Sequence, residues 1–154
     1  MADLIFRVPG DPCGQGRPFF STKDNIIRAI DRPKSRNYKA FVKEIAAGAI
    51  KKCGWIYTEL PIYVEICAFM SVPSSYSQKR KKGCYTWQEY PCKKPDIDNI
   101  FKIITDALSG MAYKDDKQIT DVYMFKRYVD NSTCEPHVCV TVGLAQAGNR
   151  RKSI

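Results

Sequence analysis

The chain has 154 residues, 44% of them apolar, and a formal net charge of +9 with a pI near 9.2. That length suits one compact domain with a true core, and that apolar content excludes intrinsic disorder. The basic excess predicts a polyanionic partner, nucleic acid or an anionic membrane surface. No apolar run approaches the roughly 20 residues needed to span a bilayer.

The N-terminus, Met1-Ala2-Asp3-Leu4-Ile5-Phe6-Arg7, lacks the basic start and long apolar stretch of a signal peptide, so a cytoplasmic protein is expected. Seven cysteines is an odd number, and in a reducing compartment free thiols are expected. Cys134, His137 and Cys139 stand close in sequence, and Cys84 and Cys92 are further possible zinc ligands. No paired Cys-x-x-Cys knuckle is present, however, and Val138 and Val140 mark an alternating strand. The cysteines are therefore read as small packed hydrophobes, and His137 as structural.

Leu4 to Val8 reads as a first strand, stopped by Pro9-Gly10. Asp11-Pro12-Cys13-Gly14-Gln15-Gly16-Arg17-Pro18 is too rich in glycine and proline to be regular. Tyr38, Phe41, Val42, Ile45 and Ala49 predict a helix over Ser35 to Lys52, closed by Gly54. Pro61 to Val72 is the second strand, with Ile62, Val64, Ile66 and Ala68 on one face, and a long polar segment follows from Pro73 to Lys94. A second helix is expected from Asp98 to Ser109, with Ile100, Ile103, Ile104, Ala107 and Met111 as its apolar stripe. Ile119 to Val129 and Pro136 to Val142 read as two strands joined in a hairpin. The order β-α-β-α-β-β predicts a single α/β domain of two-layer α+β type, a mixed sheet with helices packed against it. The domain is drawn at residues 4–145, with 146–154 as a flexible basic tail.

Chemistry concentrates at Lys94-Pro95-Asp96-Ile97-Asp98-Asn99, where a loop enters the second helix. In an extended segment Asp96 and Asp98 project to one side, giving hard oxygen donors suited to Mg²⁺. Asn99, Lys102 and Asp106 share a polar helix face, and Asp115-Asp116 follows in the turn beyond. A plainer reading makes Asp98 a helix cap, Asp115-Asp116 turn residues and Lys102–Asp106 a surface ion pair; spacing alone favours it. The segment leading into the aspartates shifts that balance. It carries Lys79, Arg80, Lys81, Lys82, Lys93 and Lys94 against Glu89, interleaved with Tyr85, Trp87 and Tyr90, a composition suited to phosphates and exposed bases.

Lys94-Pro95-Asp96-Ile97-Asp98-Asn99-Ile100-Phe101-Lys102, then Asp106-Ala107-Leu108, then Asp115-Asp116-Lys117-Gln118-Ile119, resembles the RusA family of Holliday junction resolvases. Val8-Pro9-Gly10 with Gln15-Gly16-Arg17-Pro18 is similar to that family's opening, although Phe19 replaces a frequent basic residue. The resemblance implies a homodimer that nicks two opposed strands of a four-way DNA junction with Mg²⁺ or Mn²⁺. It maps essential carboxylates onto Asp96, Asp98 and Asp116, with Asp115 beside it as a further metal ligand, and an essential lysine onto Lys102. Such genes are common in phages and prophages.

On this reading the aspartates hold the metal and Lys102 offsets charge developing in the transition state. Arg17, Lys79, Arg80, Lys81, Lys82, Lys93, Lys94 and Asn99 grip the DNA. No small-molecule cofactor is expected. The rivals are a metal nuclease acting on flaps or forks, a junction binder that does not cut, and a zinc-stabilised binding module.

Overall fold

The computed structural model describes residues 1–23, 26–131 and 135–146. Its elements in chain order are β1 (Leu4–Pro9), β2 (Phe19–Lys23), β3 (Ile26–Ile30), α1 (Pro33–Cys53), β4 (Ile62–Met70), α2 (Gln78–Tyr85) and α3 (Ile97–Leu108). A 3₁₀ turn (Asp116–Gln118), β5 (Ile119–Tyr128) and β6 (His137–Leu144) complete them. Leaving aside β2, β3 and α2, this is the β-α-β-α-β-β order read from periodicity, and the α+β fold is as expected. Cys134 and the tail from residue 147 onward lie outside the described residues.

Alternation builds the sheet. Leu4, Phe6 and Val8 of β1, Ile62, Val64, Ile66 and Ala68 of β4, and Val138, Val140 and Val142 of β6 are all buried, so one face is continuous oil. Onto it pack Val42 and Ala46 of α1 and Ile100, Ile103, Ile104 and Ala107 of α3. Of the stripe expected on α3, Ile100, Ile103, Ile104 and Ala107 are buried, while Met111 lies past the end of the helix and is half-buried; Phe41 of α1 stays 40% exposed.

The expected β5–β6 hairpin is not formed. Strand order is β1-β6-β4-β5, with β4 parallel to β5 and antiparallel to β6. The physical reason is burial. The sequence of β6, HVCVTVGL, is apolar enough to sit between two neighbours, whereas β5, ITDVYMFKRY, has a polar run that suits an edge. Chain proximity lost to that difference.

Three further elements were not anticipated. Phe19–Lys23 and Ile26–Ile30 form their own two-stranded hairpin. The polar segment from Pro73 contains α2, whose first turn is capped by the Ser77 hydroxyl accepting from the Arg80 N–H. Among the described residues no helix is long and apolar enough to cross a membrane.

Because Ile103 lies fully buried between α3 and the sheet, Ile103→Ala should destabilise the fold by about 2–5 kcal/mol in urea unfolding. A loss below about 1 kcal/mol would place α3 outside the core.

Candidate active site

The irregular Gly/Pro segment bridges the N-termini of α1 and α3. The Gln15 N–H donates to the Asn99 carbonyl at 2.8 Å, and the Gly16 N–H donates to the buried Ser35 hydroxyl at 3.0 Å. Gly14 must be glycine: a Cβ there would sit 2.8 Å from the Pro95 Cβ and 3.1 Å from the Asn99 Cβ. On the other side, Lys126 of β5 donates to the carbonyls of Lys93 and Pro95 at 2.8 and 2.9 Å. The Lys94–Pro95 peptide is cis. The turn carrying Asp96 is thus held from two directions.

Asp96 occupies the N-cap position of α3, and Asp98 lies in its first turn. Asp96 makes no side-chain cap hydrogen bond. Among the described residues neither carboxylate has a hydrogen-bond or ion-pair partner. Two exposed acceptors at the positive end of a helix dipole are free for a cation or a bound donor.

Further along α3, Lys102 lies 3.3 Å from Asp106, which also meets Lys39 at 3.6 Å; Lys39 in turn pairs with Asp31 at 2.5 Å. The Lys39 ammonium holds the Asp31 carboxyl below its ordinary range. Asp116 faces this chain of charges. Burial, then the negative charge of Asp106, push its carboxyl above the usual range, while Tyr113 and Lys102 pull the other way. The Tyr113 hydroxyl lies 3.3 Å from Asp116 and 3.2 Å from the Thr105 carbonyl.

The two turn aspartates separate in role. Asp115 caps the 3₁₀ turn, its carboxylate accepting from the Lys117 N–H at 3.0 Å, whereas Asp116 faces α3. Gln118 fastens that turn by accepting from the N–H groups of Lys114 and Asp115 and donating to the carbonyls of Thr58 and Leu60. Sequence spacing singled out neither Lys126 nor Tyr113. A lone lysine on a polar strand and a tyrosine after a helix carry no local signal.

The basic segment is only partly free. Arg80 is committed to Glu89 through Nε at 2.8 Å and stacks 3.6 Å over the Tyr76 ring. Lys79, Lys82, Lys93 and Lys94 are exposed, as are Trp87 and Tyr90, and Lys81 is half-buried. Trp87 is anchored by its indole N–H to the Tyr128 carbonyl, and Arg127 lies 4.6 Å over the Tyr90 ring. His137 is buried and stacked on Phe69 at 4.6 Å, as a structural histidine would be.

Arg17, Lys94 and Asn99 line an open cavity of about 600 Å³ with Asp96 in its wall. The profile of the family Endodeoxyribonuclease RusA matches residues 9–142, the span that builds the bridge, the acidic face and the capped turn. The chain belongs to the RusA endodeoxyribonuclease family. A similar protein is the uncharacterized protein YqaN of Bacillus subtilis (strain 168), 32% identical over 141 residues that cover 90% of this chain and 94% of that protein.

In this RusA-family chain the donors are all hard oxygens, which fit Mg²⁺ in kind. Among the described residues no three Asp, Glu, His or Cys side chains form a ready-made metal cage. Mg²⁺ is ordinarily held by one or two carboxylates with water and substrate phosphate, so a closed cage is not required.

Two outcomes follow. Gly14→Ala should cost about 1–3 kcal/mol and slow cleavage, since Pro95 or Asn99 must shift; an unchanged Tm would break the bridge argument. Asp116 has a raised pKa, so its stabilising contribution is present at low pH and lost as pH rises through the folded-state value. In metal-free protein at neutral pH, Asp116→Asn should therefore raise Tm; a lowered Tm would contradict the assigned electrostatics.

Proposed function

We propose that this chain is a Mg²⁺-dependent endodeoxyribonuclease, with Mn²⁺ able to substitute, that resolves four-way DNA junctions by paired nicks as a homodimer. The observation that carries this reading is the unpartnered pair Asp96 and Asp98 at the start of α3, followed on that helix by Lys102 and Asp106 and faced by Asp116. A pure binding protein has no use for free carboxylates next to a cationic surface.

Asp96, Asp98 and Asp116 would hold the metal, which when bound polarises a phosphate and makes water a stronger nucleophile. The chain's own contribution is positional. Lys126 and the Gly14–Gly16 bridge fix the turn bearing Asp96. Lys102, 61% exposed beyond its contact with Asp106, supplies positive charge where a phosphorane or leaving oxygen becomes more negative. The lysines of α2 and those at 93 and 94 hold the sugar–phosphate backbone without reading bases. Two-fold symmetry would set two such sites on two strands of a junction, so that both nicks fall in one complex.

The test is cleavage of an end-labelled four-way junction beside flap, fork and linear duplex substrates, with binding followed in parallel by gel shift. Wild-type protein with Mg²⁺ should place paired nicks in the junction, and EDTA should abolish them. Asp98→Asn should bind and lose at least about 10²-fold in rate, and Lys102→Ala a similar factor. Junction binding without cleavage in Mg²⁺ or Mn²⁺ would sink the enzymatic reading; faster cutting of flaps or forks would reassign the substrate.

A further inference from the structure

The open cavity of about 600 Å³ beside Asp96 is walled by the Pro12–Arg17 segment, the start of α1 and the turn entering α3. Its charged lining is one-sided. Arg17, Arg32, Lys34 and Lys94 face it, and among the described residues Asp96 is the only acid of the lining. Among the described residues none of these four cations has a carboxylate partner; Arg32 spends its Nε on the Arg17 carbonyl at 3.2 Å. Four unneutralised cations around one hollow repel one another unless an anion enters.

The backbone adds to this. Helix α1 begins with Pro33, its N-cap Arg32 offers no side-chain cap and its first turn holds no acid, so the positive pole of a 21-residue helix is left open at the cavity. Among the described residues the lining contains no aromatic ring. A stacked base would find no platform there, whereas a phosphate with its sugar finds room and charge. The Ser35 hydroxyl leaves that pole uncapped, since it is buried and accepts from the Gly16 N–H.

We infer that this cavity is a second phosphate site, holding a backbone phosphate of the DNA strand next to the one being cut. It rests on the nuclease reading for its partner, but not for its chemistry. The hydrogen bond from the Gln15 N–H to the Asn99 carbonyl ties the cavity wall to the start of α3. A phosphate seated on Arg17 and Lys34 therefore fixes how far along the strand the carboxylates reach. The site is a positioning device: its residues choose the bond without touching it.

Two measurements decide it. In metal-free protein, inorganic phosphate and a short single-stranded DNA are titrated while amide ¹⁵N–¹H shifts are followed. Saturable shifts should centre on Gly14, Gly16, Lys34 and Ser35, and Arg17→Ala should weaken them. In the Asp98→Asn background, the salt dependence of junction binding is then compared with and without Lys34→Ala. Removing one phosphate contact should lower the slope of log K against log[salt] by about 1. Shifts absent from those amides, or phosphate shifts with an unchanged DNA salt slope (a small-anion site only), would overturn the proposal. DNA seated there by a wild-type protein that cuts no branched substrate would leave the site standing and sink the nuclease reading instead.

Discussion

Two short hydrogen bonds, from the Gln15 N–H to Asn99 and from the Gly16 N–H to Ser35, join the N-termini of α1 and α3 through one strip of irregular backbone. Both helices already lie on the same apolar sheet face through Val42, Ala46 and the isoleucines of α3. The strip ties their N-terminal ends to each other, and it can pass there only because Gly14 has no Cβ to strike Pro95. That contact links the Asp96 turn, held also by Lys126, to the uncapped start of α1 and its cations.

The opposite side of the site works through tension between like charges. Asp116 is set against Asp106 and held there by the buried Tyr113 below it and the Gln118 staple behind it. Lys102 and Lys39 relieve part of the repulsion, yet the Asp116 carboxyl remains harder to ionise than an ordinary aspartate. A fold selected for stability alone gains nothing by this arrangement. A protein that must gather cations and phosphate does, because each arriving positive charge is favoured by the repulsion it relieves.

Much of this was legible in the residues. Four of the apolar positions of α3 and the α1 termination at Gly54 follow from periodicity and capping chemistry, and three ordered motifs carry the family resemblance; the N-cap of α3 falls on Asp96, without a side-chain cap bond, and not on Asp98. The strand order did not follow. The chain between Val129 and Pro136 is short enough for a hairpin, and only the relative burial of whole strands sends β6 to the far side of β4. Helix α2 was hidden because its residues are nearly all polar, leaving Ser77 as the one signal. The contacts of Arg80 with Glu89 and Tyr76 carry no local sequence signal. Lys126 could not be found at all, since its partners are backbone carbonyls more than thirty residues earlier.

We propose that the start of α3 and the Asp115–Asp116 turn serve one divalent-metal site. Replacing Mg²⁺ with Fe²⁺ in the presence of ascorbate and peroxide makes the metal cut nearby backbone, and mass spectrometry locates the cuts. The account predicts two clusters in the same molecule, around residues 96–98 and 115–117, both suppressed by excess Mg²⁺ and by Asp98→Asn. Cuts at one of these places without the other, or concentrated around Cys139 and His137, would contradict it.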